Sequence, residues 1–171
     1  MIDWTKFPPP LQLEAIFAFE SNAKIGHELG HHCFIKKVRF AQSLTETEDV
    51  FVRLERIGSN IAGDGFSSIF HEVFTPEYFS IVCDVLTEVG GLKLRDLLRE
   101  AWDIYTKGKS PISAEELRAI SVRRFNSIEK MNRFDQLGEE VVSEIQAQYT
   151  NEKVWSVEYA KLHRDGFEPI K

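Results

Sequence analysis

Thr75-Pro76-Glu77-Tyr78-Phe79-Ser80-Ile81-Val82-Cys83-Asp84-Val85-Leu86-Thr87-Glu88-Val89-Gly90-Gly91 is the stretch from which the fold class follows. Threonine can accept a hydrogen bond from a backbone N–H of the first helical turn, and proline at the next position has no N–H to leave unsatisfied. Phe79, Val82, Leu86 and Val89 then recur at the three- and four-residue spacing of one helix face. Gly90-Gly91 supplies the left-handed conformation on which helices end. Start, stripe and stop agree on a helix of about three turns.

The same grammar extends in both directions. Leu92, Leu94, Leu97, Leu98, Ala101, Trp102 and Tyr105 form the next amphipathic run, ending near Gly108. Thr45 with Glu48, and Ser113 with Glu116, are capping boxes in which two backbone donors are satisfied reciprocally. The first opens a helix through Val50, Leu54 and Ile57; the second opens one to about Met131. Gly63-Asp64-Gly65-Phe66 is a structural turn, since glycine and Asp-Gly tolerate left-handed backbone. Phe66 to Phe74 then makes a helical turn or two. Further helices are expected over residues 10–20, 22–41, 139–149 and 152–163. No alternating β-branched run or Asn-Gly hairpin is present. The expectation is an all-α fold, a compact helical bundle of about seven to eight helices in one domain over residues 1–171.

Composition fits that reading. The chain has 171 residues, 43% of them apolar, including thirteen phenylalanines and three tryptophans, so it can bury an aromatic core without metal or disulfides. Cys33 and Cys83, fifty residues apart, form no metal-ligand pair of the Cys-x-x-Cys kind and are expected as reduced, buried thiols. Met1-Ile2-Asp3-Trp4-Thr5-Lys6 lacks a signal-peptide layout and no apolar run reaches membrane-spanning length, so a cytoplasmic location and no membrane contact are expected.

Net charge is −6, unevenly spread. Residues 45–106 hold twelve acids and five bases, whereas residues 107–133 hold seven bases and three acids. Direct nucleic-acid binding is disfavoured by that balance, and a basic protein partner is allowed. Arg118, Arg123, Arg124, Lys130 and Arg133 could contact phosphate, but no aromatic interleaving accompanies them and a solvated helix face accounts for them as well.

One motif has a catalytic pattern. His27-Glu28-Leu29-Gly30-His31 matches the H-E-x-x-H arrangement of zinc peptidases. Four residues on a helix bring two imidazoles onto one face, where they can hold Zn²⁺ while Glu28 acts as catalytic base on a metal-bound water. The stripe His27, His31, Phe34, Val38, Ala41 is expected to point inward. A third ligand is required; Glu48 is the first candidate, followed by Glu46, Glu55 and His71. The competing reading is a histidine-rich structural helix with no metal and no cofactor, and the zinc hydrolase is kept as the alternative.

Between Val50 and Tyr105 the wording is more specific. Val50-Phe51-Val52-Arg53-Leu54-Glu55-Arg56-Ile57 is followed by Ala62-Gly63-Asp64-Gly65-Phe66-Ser67-Ser68-Ile69-Phe70, then by Val85-Leu86-Thr87-Glu88-Val89-Gly90-Gly91 and Leu97-Leu98-Arg99-Glu100-Ala101-Trp102. With Phe134-Asp135-Gln136-Leu137 and a last helix ending in Phe167, this resembles the C-terminal-like helical domain of the bacterial DNA-mimic protein family over about residues 45–167. That family typically carries an Asn-Gly-Gly-Phe turn where Gly63-Asp64-Gly65-Phe66 stands here. Residues 1–44, an N-terminal helical extension holding the histidine motif, lie outside the resemblance. The resemblance implies a helical, often dimeric protein, so a homodimer is among its expectations. It also implies an acidic surface that stands in for DNA phosphates and occupies a DNA-binding protein. The resulting expectation is a non-enzymatic interaction domain whose acidic helical face, with Glu46, Glu48, Asp49 and Glu55 as partner-binding residues, meets a basic or DNA-binding protein. Arg53, Arg56, Lys93, Arg95 and Arg99 interrupt the acidic series.

Overall fold

In a computed structural model of the chain, Thr75 accepts the Tyr78 N–H at 3.4 Å, and Pro76 opens a helix, α5, that runs Pro76–Glu88. It closes as the glycine pair demands: Gly90 takes φ +78°, its N–H reaches the Thr87 carbonyl, and the Gly91 N–H reaches back to Leu86 at 2.7 Å. The structure describes residues 8–111, 113–121, 127–151 and 153–170. Their helices are α1 (Leu13–Phe17), α2 (Asn22–Val38), α3 (Glu46–Asp64), α4 (Ile69–Glu72), α5, α6 (Leu92–Thr106), α7 (Ala114–Ser121), α8 (Ile128–Thr150) and α9 (Trp155–Leu162). Short 3₁₀ turns cover Phe66–Ser68 and Arg164–Gly166, and no strand occurs among the described residues. The fold is all-α.

The chain divides into two compact units, residues 1–55 with 152–171, and residues 56–151. In the second, α6 packs against α5, α7 and α8. Its core is aromatic. Phe79 stacks on Trp102 with ring centroids 4.2 Å apart, Phe70 stacks on Tyr105 at 5.0 Å, and Phe134 from α8 lies 4.8 Å from Phe66 and 5.7 Å from Phe70. Each such pair adds about 0.5–1.5 kcal/mol to the burial of its rings. α6 ends with Lys107 in the left-handed region and Gly108 beyond it, where the leucine stripe runs out.

The helices expected over 10–20 and 22–41 are shorter, Leu13–Phe17 and Asn22–Val38, and two further boundaries differ from the sequence expectation. α8 is one helix of 23 residues beginning after Ser127, whose Oγ accepts the Lys130 N–H at 3.2 Å. The sequence reading extended the preceding helix to Met131, a span whose residues 122–126 lie outside those described, and restarted at 139, leaving Gly138 outside a helix. Gly138 instead provides space: a Cβ there would stand 3.0 Å from the Phe66 side chain. At Gly63-Asp64-Gly65-Phe66, α3 continues through Asp64 and only Gly65, at φ +85°, makes the turn.

In the first unit, α2 packs on α1 and α9 around Ile16, Ile25, Leu29, Ile35 and Val157. The Phe167 ring meets Phe17 and Phe51 edge-on at 5.8 and 5.7 Å, tying the C-terminal segment to this core. Cys33 and Cys83 are both buried and free, as their spacing implied.

Candidate functional site

α2 faces the opposite way from the expected one. His27 is exposed, Phe34 is 44% and Val38 39% exposed, and Ala41 lies on the surface. The buried stripe is Ile25, Leu29, His32, Cys33 and Lys36, offset around the helix from the histidine pair. The inward-facing reading of His27 and His31 is therefore corrected. Burial follows the larger aliphatic set and a charged partner from α3, not the imidazoles.

That partner is Glu48. Both oxygens of this fully buried carboxylate accept from the Lys36 ammonium, at 2.9 and 2.8 Å. Oε2 also accepts the Thr45 N–H at 2.9 Å, while Thr45 Oγ1 accepts the Glu48 N–H at 3.1 Å, so the capping box forms. Oε1 accepts the Glu168 N–H at 3.0 Å, and the Thr45 hydroxyl donates to the Gly166 carbonyl at 2.6 Å. His32 is 3% exposed; its Nε2 lies 3.1 Å from the Glu168 carbonyl, which fixes that nitrogen as the donor and leaves Nδ1 unpartnered. The cluster latches the C-terminal segment to α2 and α3. Burial and the Glu48 charge push the adjacent Cys33 thiol up to about 12, so it is not a nucleophile at neutral pH.

Glu48 is thus neither a third zinc ligand nor a surface carboxylate. Its acceptor positions are filled by an ammonium and two backbone N–H groups, whereas a metal ligand needs a free lone pair. No group of three His, Cys, Asp or Glu side chains among the described residues is placed to hold a metal ion. The His71 side chain lies outside the described residues. Among the described residues, no third ligand stands beside His27 and His31.

The remaining partner candidates separate. Glu46 is exposed at the start of α3. Asp49 is paired with Arg53 at 2.9 Å. Glu55 is half-buried and accepts the Ser156 hydroxyl; burial raises its pKa and that hydrogen bond partly offsets the rise. The four residues therefore do not form one carboxylate face. Of the basic series, Arg123 and Arg124 lie outside the described residues. Arg133 is held by Glu100 at 2.7 and 2.8 Å and by Glu140 at 2.8 Å, and this pairing draws the Glu100 carboxyl below its usual range.

Two other sets of carboxylates emerge on the second unit. α5 exposes Glu77, Asp84 and Glu88, seven and four residues apart and so on one face, and its sequence contains no lysine or arginine. On α8, exposed Asp135 and Glu139 border an open groove of about 410 Å³ lined also by Ile61, Phe66, Gly138, Val142, Ser143 and Gln146. Asp135 and Glu139 were missed because the sequence reading broke α8 there. In an unbroken helix, Asp135, Glu139, Val142 and Gln146 at helical spacing announce a shared face.

An all-α protein is the class that these elements define. Comparison with family models, with characterised proteins and with solved structures gives no match to the chain. No described helix is long and apolar enough to cross a membrane.

Proposed function

We propose that the protein is a non-enzymatic interaction domain that presents acidic helix faces to a basic protein of the DNA-binding kind. The observation that carries this reading is the α5 face, where Glu77, Asp84 and Glu88 are exposed along a helix that has no basic residue of its own. Their spacing corresponds to rises of about 10 Å and 6 Å along the axis. A linear array of negative charge raises the encounter rate with a cationic surface and selects among partners more than it adds raw affinity. The net charge of −7 over residues 45–106 and the resemblance of residues 45–167 to the DNA-mimic family support the same reading. The partner-binding role passes from Glu48, which is buried, and Glu55, which is half-buried against Ser156, to α5.

Capture from cell lysate at two salt concentrations, about 50 and about 500 mM, tests it, because the Debye length shortens from roughly 14 Å to roughly 4 Å across that range. The wild-type protein retains a basic DNA-binding protein at low salt and releases it at high salt. The Glu77→Lys, Asp84→Lys, Glu88→Lys variant, with unchanged helical content, does not retain it. Equal retention by the variant contradicts the proposal.

A further inference from the structure

The groove on α8 has a chemistry of its own. Its walls come from the end of α3 (Ile61), the turn that follows (Phe66) and α8 (Val142), all half-buried apolar side chains. Phe66 rests on α8 where Gly138 lacks a Cβ, so the groove is built around that glycine. Asp135 and Glu139 stand one helical turn apart at its rim, both exposed and neither in an ion pair among the described residues. Arg133, on the same helix, is already engaged by Glu100 and Glu140, and Lys93 by Glu144 at 2.7 Å. Among the described residues, these two cations are therefore committed to other carboxylates, while the rim carboxylates have no cation of their own.

We infer that this groove receives a cationic amphipathic helix, with an aliphatic or aromatic side chain laid over Ile61, Phe66 and Val142 and Lys or Arg residues one turn apart reaching Asp135 and Glu139. An apolar floor alone would accept many occupants. Two exposed carboxylates at i, i+4, with no ion pair among the described residues, select a helix bearing positive charge at the same spacing. The openness of the groove suits a helix face better than a small molecule, which binds where most of its surface is enclosed. This inference rests on the protein-interaction reading and gives it a contact site distinct from the α5 face.

The probe is a synthetic Leu/Lys peptide designed as an amphipathic helix, compared with a permuted peptide of identical composition that has no apolar face. Fluorescence anisotropy measures affinity, and methyl NMR shifts of Ile61 and Val142 locate the site. The amphipathic peptide is expected to bind and shift those methyls. Asp135→Lys with Glu139→Lys should weaken binding by about tenfold or more, and Glu77→Lys with Asp84→Lys by much less. Equal binding of the permuted peptide overturns the inference, because charge alone would then explain it. Binding that maps to α5 and ignores the groove variants overturns it too, yet leaves the interaction reading standing. No binding of either peptide at low salt contradicts both. A concentration-dependent dimer that Asp135→Lys dissociates assigns the groove to a second copy, and likewise overturns the inference.

Discussion

Removing one member of the buried Lys36–Glu48 pair should be the most damaging polar substitution in the first unit. Lys36→Met keeps the length of the aliphatic stem and deletes the ammonium. Glu48 is then a carboxylate with no accessible surface, left with the Thr45 and Glu168 N–H groups as its remaining donors. Breaking a buried pair in this way costs about 3–5 kcal/mol, since the surviving charge is neither hydrated nor neutralised. For a chain of this size each kcal/mol lowers Tm by roughly 2–4 °C, so the drop is roughly 6–20 °C. Glu48→Gln strands the ammonium instead, with the Glu168 carbonyl at 3.4 Å as its other acceptor, and should cost a similar amount. The double variant carries no buried charge, and it should recover to within about 2 kcal/mol of the parent. Urea unfolding of the four proteins, followed by far-UV circular dichroism, closes the cycle. A coupling energy of at least about 2 kcal/mol is expected. Additive single effects, or single losses under about 1 kcal/mol, would refute the argument that the pair is buried and mutually dependent.

Three further outcomes rest on burial and close packing. Glu55 has a raised pKa in the fold, so its contribution to stability is full in acid and is lost as pH rises above the unfolded value and through the folded one. Glu55→Gln, which can still pair with Ser156, should therefore gain stability relative to the parent between pH 4 and pH 7 in thermal melts; a pH-independent difference would show that the carboxyl is not desolvated. Cys33, pushed up to about 12, and Cys83, also raised by burial, should resist thiol reagents at pH 8 until urea unfolds the chain, and rapid labelling of the native protein would contradict their burial. Gly166→Ala drives a Cβ into the Thr47 side chain beneath the C-terminal segment and should destabilise by about 1–3 kcal/mol, with limited proteolysis releasing that segment first. An unchanged melt would mean that the latch is looser than the contact implies.

What was legible in the sequence was whatever local chemistry decides. Thr75-Pro76, Gly90-Gly91 and Gly108 fix the ends of α5 and α6 through backbone hydrogen bonds within a few residues, and the structure places those ends where the residues do. The Thr45–Glu48 capping box is equally local and forms reciprocally. The burial of Glu48 is not local. It depends on Lys36 twelve residues earlier and on the Glu168 N–H 120 residues later, so a residue read as surface acid became the centre of a buried cluster. The same long-range pairing bears on α2, where Lys36 is buried on the Ile25–Leu29–Cys33 stripe with Glu48 as its partner, while the histidine stripe expected to face inward lies on the other side. Gly138 depends on distant chain in a related way. Its helix cost of about 1 kcal/mol relative to alanine is visible in sequence, but the Phe66 ring that requires its missing Cβ arrives from seventy residues away.

The proposed role is tested most directly by asking whether the captured basic protein can hold this chain and duplex DNA at once. With labelled duplex bound to that partner, increasing amounts of the wild-type protein should displace the DNA completely, and the Glu77→Lys, Asp84→Lys, Glu88→Lys variant should leave it bound. A stable ternary complex, or displacement as efficient with the charge-reversed α5 as with the native one, would contradict the account.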